Sequence, residues 1–257
     1  MYKTSKIILI YCLFSFFCLL KASNINEAIK LYNDRAIGAK GLKADKSLIN
    51  NAILTFSSLK DQKNITIQLY LLKCYYFKGQ FASENKKEKK EAFEKGKNLG
   101  EKAIKQFSGS VSIRYWYLVN LGSWAEVYGK IMAAKEGVAD LMRKHSKVII
   151  DIDHRYSNGG GYFMLGVVHL KSPYIPFFLT WPSNQKAVDF LKLSYDTDEK
   201  TFAQRVYYSR SLYENGEKYL AKKILKNVII DVPSDNYYLE DLFQQGEAKI
   251  LLELWTK

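Results

Sequence analysis

Cysteine is scarce: three occur in 257 residues, and Cys12 and Cys18 both fall within the first twenty. Cys74 stands alone in the remainder, so once the leading segment is removed no intrachain disulfide can form and stability has to come from packing. Histidine is equally scarce, with only His145, His154 and His169, and neither His-Glu-x-x-His nor Gly-x-Ser-x-Gly occurs. Metal-assisted and serine hydrolysis therefore lack their ligands and nucleophile, and no enzymatic activity, metal or cofactor is expected. Asp151, Asp153 and His154 could ligate a cation, but they close an amphipathic run, where turn and capping duties are commoner. Gly159-Gly160-Gly161 has no strand pattern before it and no Gly-Lys-Ser/Thr after it. It reads as a tight connection at positive φ, turning into a helix near Tyr162, and not as a phosphate cradle.

Alternating apolar and polar positions, hairpin turn pairs and βαβ units are also missing, which leaves an all-α chain. Apolar runs long enough to cross a bilayer are absent too. The longest, Ile7 to Leu20, falls short of the ~20 residues a spanning helix needs. With Lys3 and Lys6 before it and Lys21-Ala22-Ser23 after it, the run reads as a signal peptide over residues 1–23, cleaved near Ala22 or Ser23. Neither Cys12 nor Cys18 is preceded by the small residues that lipid attachment requires. The expected product is an exported, periplasmic protein, with residues 24–257 as one domain large enough to bury a substantial core.

Acidic residues are outnumbered, 26 against 39 Lys and Arg, giving a net charge of +13, of which Lys3, Lys6 and Lys21 contribute three within the leader. Such a surplus suits an acidic protein or an anionic membrane surface, or it is simply a lysine-rich solvated surface; for an exported chain nucleic acid is not an expected partner.

What the chain does have is helical periodicity. Ile25, Ala28 and Ile29, then Leu48, Ile49, Ala52 and Ile53, predict two helices separated by a link at Gly38 to Gly41. Leu69, Leu72, Tyr75 and Tyr76 share one face of a helix expected to end at a turn on Gly79. The mixed charge run Glu84 to Glu91 predicts a solvated helix start leading to Ala103 and Phe107. After Ser108-Gly109-Ser110, a stripe through Trp124, Val127, Tyr128, Ile131, Met132, Val138, Leu141 and Met142 predicts the longest helix, running to about His145.

Tyr162, Leu165, Gly166 and His169 fall on the W-x2-L-G-x2-Y spacing of a tetratricopeptide (TPR) unit, and Ala187 with Leu191 on the spacing of its second helix. His169 to Ala187 is 18 residues where a standard unit has 9, so the loop between the paired helices is enlarged. A cleaner unit follows, with Tyr208, Ser209 and Leu212, a turn at Gly216, then Ala221 and Leu225. Ser209 lies 43 residues after Gly166, which matches the 34-residue period once the nine extra loop residues are counted. Tyr237 to Leu254 predicts a closing amphipathic helix that caps the last open face. The expected architecture is a TPR-like array of helical hairpins, an α-solenoid or superhelix of about 10–12 helices.

Trp116 with Leu121-Gly122-Ser123-Trp124-Ala125-Glu126, Asp153-His154-Arg155-Tyr156 leading to Gly159-Gly160, Leu165-Gly166, Ser172-Pro173, Ile175-Pro176 and Lys186-Ala187 resemble the TRAP transporter T-component (TatT) family. The resemblance runs from about Ile65 to Asn227. It implies a TPR-like periplasmic protein that docks the solute-binding subunit of a tripartite transporter and helps to pass a small, often apolar, ligand. Thr180-Trp181-Pro182-Ser183-Asn184 departs from the residues associated with the family at that loop.

The aromatic residues Trp116, Trp124, Tyr128 and Tyr162, with His169, surround the best-matched units and are candidate walls of a ligand or peptide groove, although aromatic stripes at helical spacing are commonly core. Tyr174, Phe177, Phe178 and Trp181 lie in an apolar loop flanked by Pro173, Pro176 and Pro182, which must either pack down or meet a partner. Expected partners are a periplasmic solute-binding protein or another envelope protein, a small apolar ligand, or a second copy of the chain in a homo-oligomer. A general envelope scaffold with no solute-handling role is the alternative.

Overall fold

The computed structural model describes residues 24–177 and 179–256; the signal-peptide assignment falls outside them. Helices begin where the sequence supplies caps. Asn24, Asp45, Asn64, Asn85, Ser110, Ser183 and Thr201 each accept a hydrogen bond from a first-turn amide, and Thr201 with Gln204 forms a reciprocal capping box. In order these caps open α1 (Ile25–Asn33), α2 (Lys46–Ser58), α3 (Ile65–Phe81), α4 (Lys86–Gln106), α5 (Val111–Tyr128), α9 (Asn184–Tyr195) and α10 (Phe202–Glu214). The other five, α6 (Lys130–Lys135), α7 (Val138–Asp153), α8 (Tyr156–Lys171), α11 (Lys218–Ile230) and α12 (Tyr238–Leu254), follow closely on a preceding helix or turn and start without a side-chain cap. Two 3₁₀ turns, Asp34–Ala36 and Asp235–Tyr237, complete an all-α fold with no strand among the described residues.

Successive helices pack against their sequence neighbours, and several helices two apart also touch, as in α3 with α5 and α10 with α12, so the fold is an array of helical hairpins. Small residues set the closest approaches. A Cβ on Gly166 would lie 2.5 Å from Leu191 Cγ, which seats α8 directly against α9. In the next hairpin Ser209, fully buried, donates its hydroxyl to Ala221 O at 2.7 Å, joining α10 to α11. The mostly charged α4 packs through a narrow seam of Ala92, Phe93, Gly96, Gly100 and Ala103, and the buried Asn120 of α5 donates to Leu72 O (3.0 Å) and Trp116 O (2.9 Å) beside it.

Three local expectations are corrected. The chain does not turn at Gly79; α3 continues to Phe81, and Gly79 lies against the Phe93 ring of α4, where a Cβ would meet it at 2.5 Å. The long apolar stripe is broken into α5, α6 and α7 by Gly129 (φ +92°) and Gly137 (φ +64°), leaving the 21-residue α4 as the longest helix among the described residues. The positive-φ turn expected over Gly159–Gly161 lies on Ser157 (φ 50°), Asn158 (φ 55°) and Gly159 (φ 78°) instead. Gly160 and Gly161 are already helical and are needed as small residues, since a Cβ would sit 2.7 Å from the Tyr115 ring and 2.8 Å from Ile150 respectively. Gly216 (φ +94°) makes the predicted turn.

The array closes on itself. The C-terminal half of α12 covers α10 and α11 through Ala248, Leu251 and Leu252, and Trp255 beyond it stacks on Tyr213 at 3.9 Å. Its N-terminal half, through Leu239, Leu242 and Phe243, joins the core built from α1, α2 and α3. Buried Arg35, just after α1, donates to Asn236 O at 2.7 Å and Glu240 Oε1 at 3.1 Å. The last helix therefore links the end of the array to its beginning, where an open solenoid would leave the two apart.

Candidate functional site

The predicted site residues fall into four separate settings. Trp124 and Tyr128, one turn apart on α5, stack at 4.6 Å; Trp124 is core, and the Tyr128 hydroxyl donates to Glu94 Oε2 at 2.7 Å, tying α5 to α4. This pair is spent on helix packing. Tyr162, in the first full turn after the positive-φ kink, is half-buried and belongs to none of the main core clusters.

The second cluster joins His169 at the end of α8 to the enlarged loop. His169 is buried, with the Trp181 ring edge-on at 4.9 Å and Phe190 of α9 at 5.6 Å. Burial, reinforced by the positive charges of Lys186, Arg143 and Lys147, lowers its pKa to about 4, so it is neutral at pH 7 and works as a packing ring. Trp181 Nε1 donates to Asp140 Oδ1 at 2.9 Å, and the Arg143 guanidinium lies 4.8 Å from the Trp181 ring centroid. The descending limb of the loop is thereby fastened to the first turns of α7.

Above that anchor the loop forms a miniature hairpin. Ile175 and Leu179 exchange backbone hydrogen bonds of 2.9 and 2.8 Å. At its tip Phe177 is 97% exposed with φ +68°, and Tyr174 is 62% exposed. Phe178 lies outside the described residues. The base packs down while the tip projects, so the two fates open to the loop in the sequence are divided between its two ends. At the foot of the hairpin, Lys171 pairs with Glu126 of α5.

Trp116 meets none of these. Half-buried on α5, it contacts Tyr76 (5.8 Å) and Tyr115 (6.1 Å) and faces a recess shared with Tyr32, Tyr70 and Lys73. Asn33, Arg35 and the Asp235–Tyr237 turn complete that lining. None of these neighbours stood out in the sequence. The available signal was Tyr70 and Lys73 at a three-residue spacing on the polar side of α3, with a polar Ser234-Asp235-Asn236-Tyr237 stretch after Pro233.

Other reactive groups are withdrawn. Cys74 is fully buried, and burial pushes its thiol far above the ordinary range. Asp153 Oδ1 accepts from the Arg155 amide at 3.0 Å, the turn-capping duty expected of it. Among the described residues no group of three His, Cys, Asp or Glu side chains is placed to hold a metal ion, and no helix is long and apolar enough to cross a membrane. Compared with protein-family models and with curated proteins, the chain finds no match.

Proposed function

We propose that this protein acts by binding, as a non-enzymatic, periplasmic accessory component of a TRAP-type solute-uptake system, with the 174–179 hairpin as the element that docks the solute-binding protein. The observation that carries this reading is Phe177: a large apolar ring held almost wholly in water at the tip of a loop whose base is anchored by Trp181. Burying such a ring is worth about 1.5–3 kcal/mol, and a braced loop has little ordering entropy left to lose when a partner covers it. The resemblance to the TatT family over residues 65–227 and the reading of residues 1–23 as a signal peptide support the proposed compartment and partner class.

The test is a photo-reactive phenylalanine analogue in place of Phe177, irradiated in intact cells, with mass spectrometry of the adducts. Recovery of a TRAP solute-binding protein supports the uptake role. Adducts dominated by other envelope proteins support the scaffold alternative, and no adduct above the level given by an analogue at the buried Phe56 would overturn docking through this loop.

A further inference from the structure

We infer that the recess between α1, α3, α5 and the Asp235–Tyr237 turn is a binding site for a small organic anion with an apolar, single-ring body, in which Lys73 meets the charge and Tyr70 and Trp116 flank the ring. This site is independent of the hairpin.

The recess has a volume of about 220 Å³. That is below the ~300–1,000 Å³ of sites for drug-sized molecules, which limits the occupant to about one ring and its headgroup. Its aromatic walls are held from behind. Tyr70 stacks on the core ring Phe56 at 5.3 Å and takes Tyr32 edge-on at 5.3 Å, while Trp116 is braced by Tyr76 and Tyr115.

The charges decide the class of ligand. Lys73 is half-buried, with its Nζ 4.8 Å from the Tyr70 ring centroid and 5.6 Å from that of Trp116, yet among the described residues no carboxylate lies within ion-pair distance of it. Burial, and then the nearby Arg35, lower its pKa, which is the signature of an ammonium short of counter-charge. The two aromatic faces return part of the desolvation cost, and an anion would return the rest. Arg35 is already committed to Glu240 and to Asn236 O. Asp235, the one carboxylate in the lining, is exposed on the closing turn and makes no ion pair with Lys73. A neutral ligand would leave the ammonium uncompensated, and a cation would oppose it.

The experiment is calorimetric titration of the purified protein lacking residues 1–23 with benzoate, phenyl phosphate, benzyl alcohol and benzylamine. Benzoate or phenyl phosphate should bind with Kd below about 1 mM, the preferred one identifying the headgroup, and at least tenfold more tightly than benzyl alcohol. Lys73→Met, which keeps the apolar stem, should weaken the preferred anion at least tenfold with an unchanged or raised melting temperature, and Phe177→Ser should leave anion binding as it was. Equal binding of anion and alcohol, stronger binding of benzylamine, full anion affinity in folded Lys73→Met, or no binding of any probe would each overturn the assignment.

Discussion

The chain has two unusual connections, and they behave oppositely. Between α8 and α9 an apolar loop fastens its base with Trp181 and sends Phe177 outward. Between α11 and α12 a mostly polar segment stays exposed but is tied down, because buried Arg35 at the start of the array holds its Asn236 O together with Glu240 of α12. The difference lies in what each segment can satisfy: the polar turn brings backbone carbonyls and a carboxylate that a buried guanidinium requires, whereas the apolar tip has only a five-residue hairpin to pack on. A polar turn tied down by Arg35 closes the fold, and an outward apolar tip is left for something else to cover.

If that contrast holds, the largest loss of stability should come from the connection that Arg35 ties down. Arg35→Ala removes its hydrogen bonds to Tyr32 O, Asn236 O and Glu240, and leaves Glu240, whose side chain is only 20% exposed, without its partner. Breaking a fully buried pair costs about 3–5 kcal/mol, and the residual water contact of Glu240 reduces the expectation to about 2–4 kcal/mol in urea unfolding. Amide exchange should accelerate first in the N-terminal half of α12. A uniform acceleration across all helices would argue that the closure is not a separate unit.

Within the array itself the next effect is Gly166→Leu. Its Cβ would come within 2.5 Å of the Leu191 side chain and 3.0 Å of the Leu191 amide nitrogen, so α8 and α9 must separate. Overpacking of this kind costs about 1–3 kcal/mol, and an unchanged melting temperature would refute the pairing of these helices.

That pairing was readable from the sequence because it depends on small residues at a fixed period: Gly166 and Ser209, 43 residues apart, both face the second helix of their own hairpin. Seven helix starts also carry capping residues, a local signal that the reading of apolar periodicity did not use. The break at Gly129 and Gly137 was hidden because apolar residues continue in phase across it, although Ile131 turns out to be 90% exposed. Closure by α12 was hidden for another reason. Arg35 and Glu240 are 205 residues apart, and no local pattern carries a contact at that range. The aromatic residues showed where rings concentrate but not their roles: Trp124 and Tyr128 went to packing, while Trp116 faces a recess whose cation, Lys73, read as one more surface lysine.

A smaller effect sharpens the account of the loop base. His169 and His145 both have pKa values lowered to about 4, chiefly by burial, against about 6.5 in an unfolded chain. Between those values the unfolded chain binds the protons and the native state does not, so stability present above pH 6.5 declines as pH falls toward 4. The His145 Nδ1, 2.6 Å from Arg114 Nη1, must stay unprotonated to accept that hydrogen bond. His169→Phe removes one of the two contributions, so the urea midpoint should fall less between pH 7 and pH 5 than in the parent. An identical slope would mean that His169 titrates normally and that the loop base is more open to water than its packing indicates.

The smallest expected change in stability is at the hairpin tip, and it is the one that separates the two connections most cleanly. Phe177 is 97% exposed, so Phe177→Ser should alter unfolding free energy by less than about 0.5 kcal/mol. If the tip docks a partner, the same substitution should nevertheless weaken capture of that partner by tenfold or more, the scale of losing one buried aromatic anchor. The residue also holds a positive φ of 68°, which a serine tolerates no better than a phenylalanine, so any loss of capture cannot be assigned to relief of backbone strain. A destabilisation above about 1 kcal/mol would instead show that the ring packs against the protein in solution. In that case the apolar connection, like the polar one, would serve the fold and not a partner.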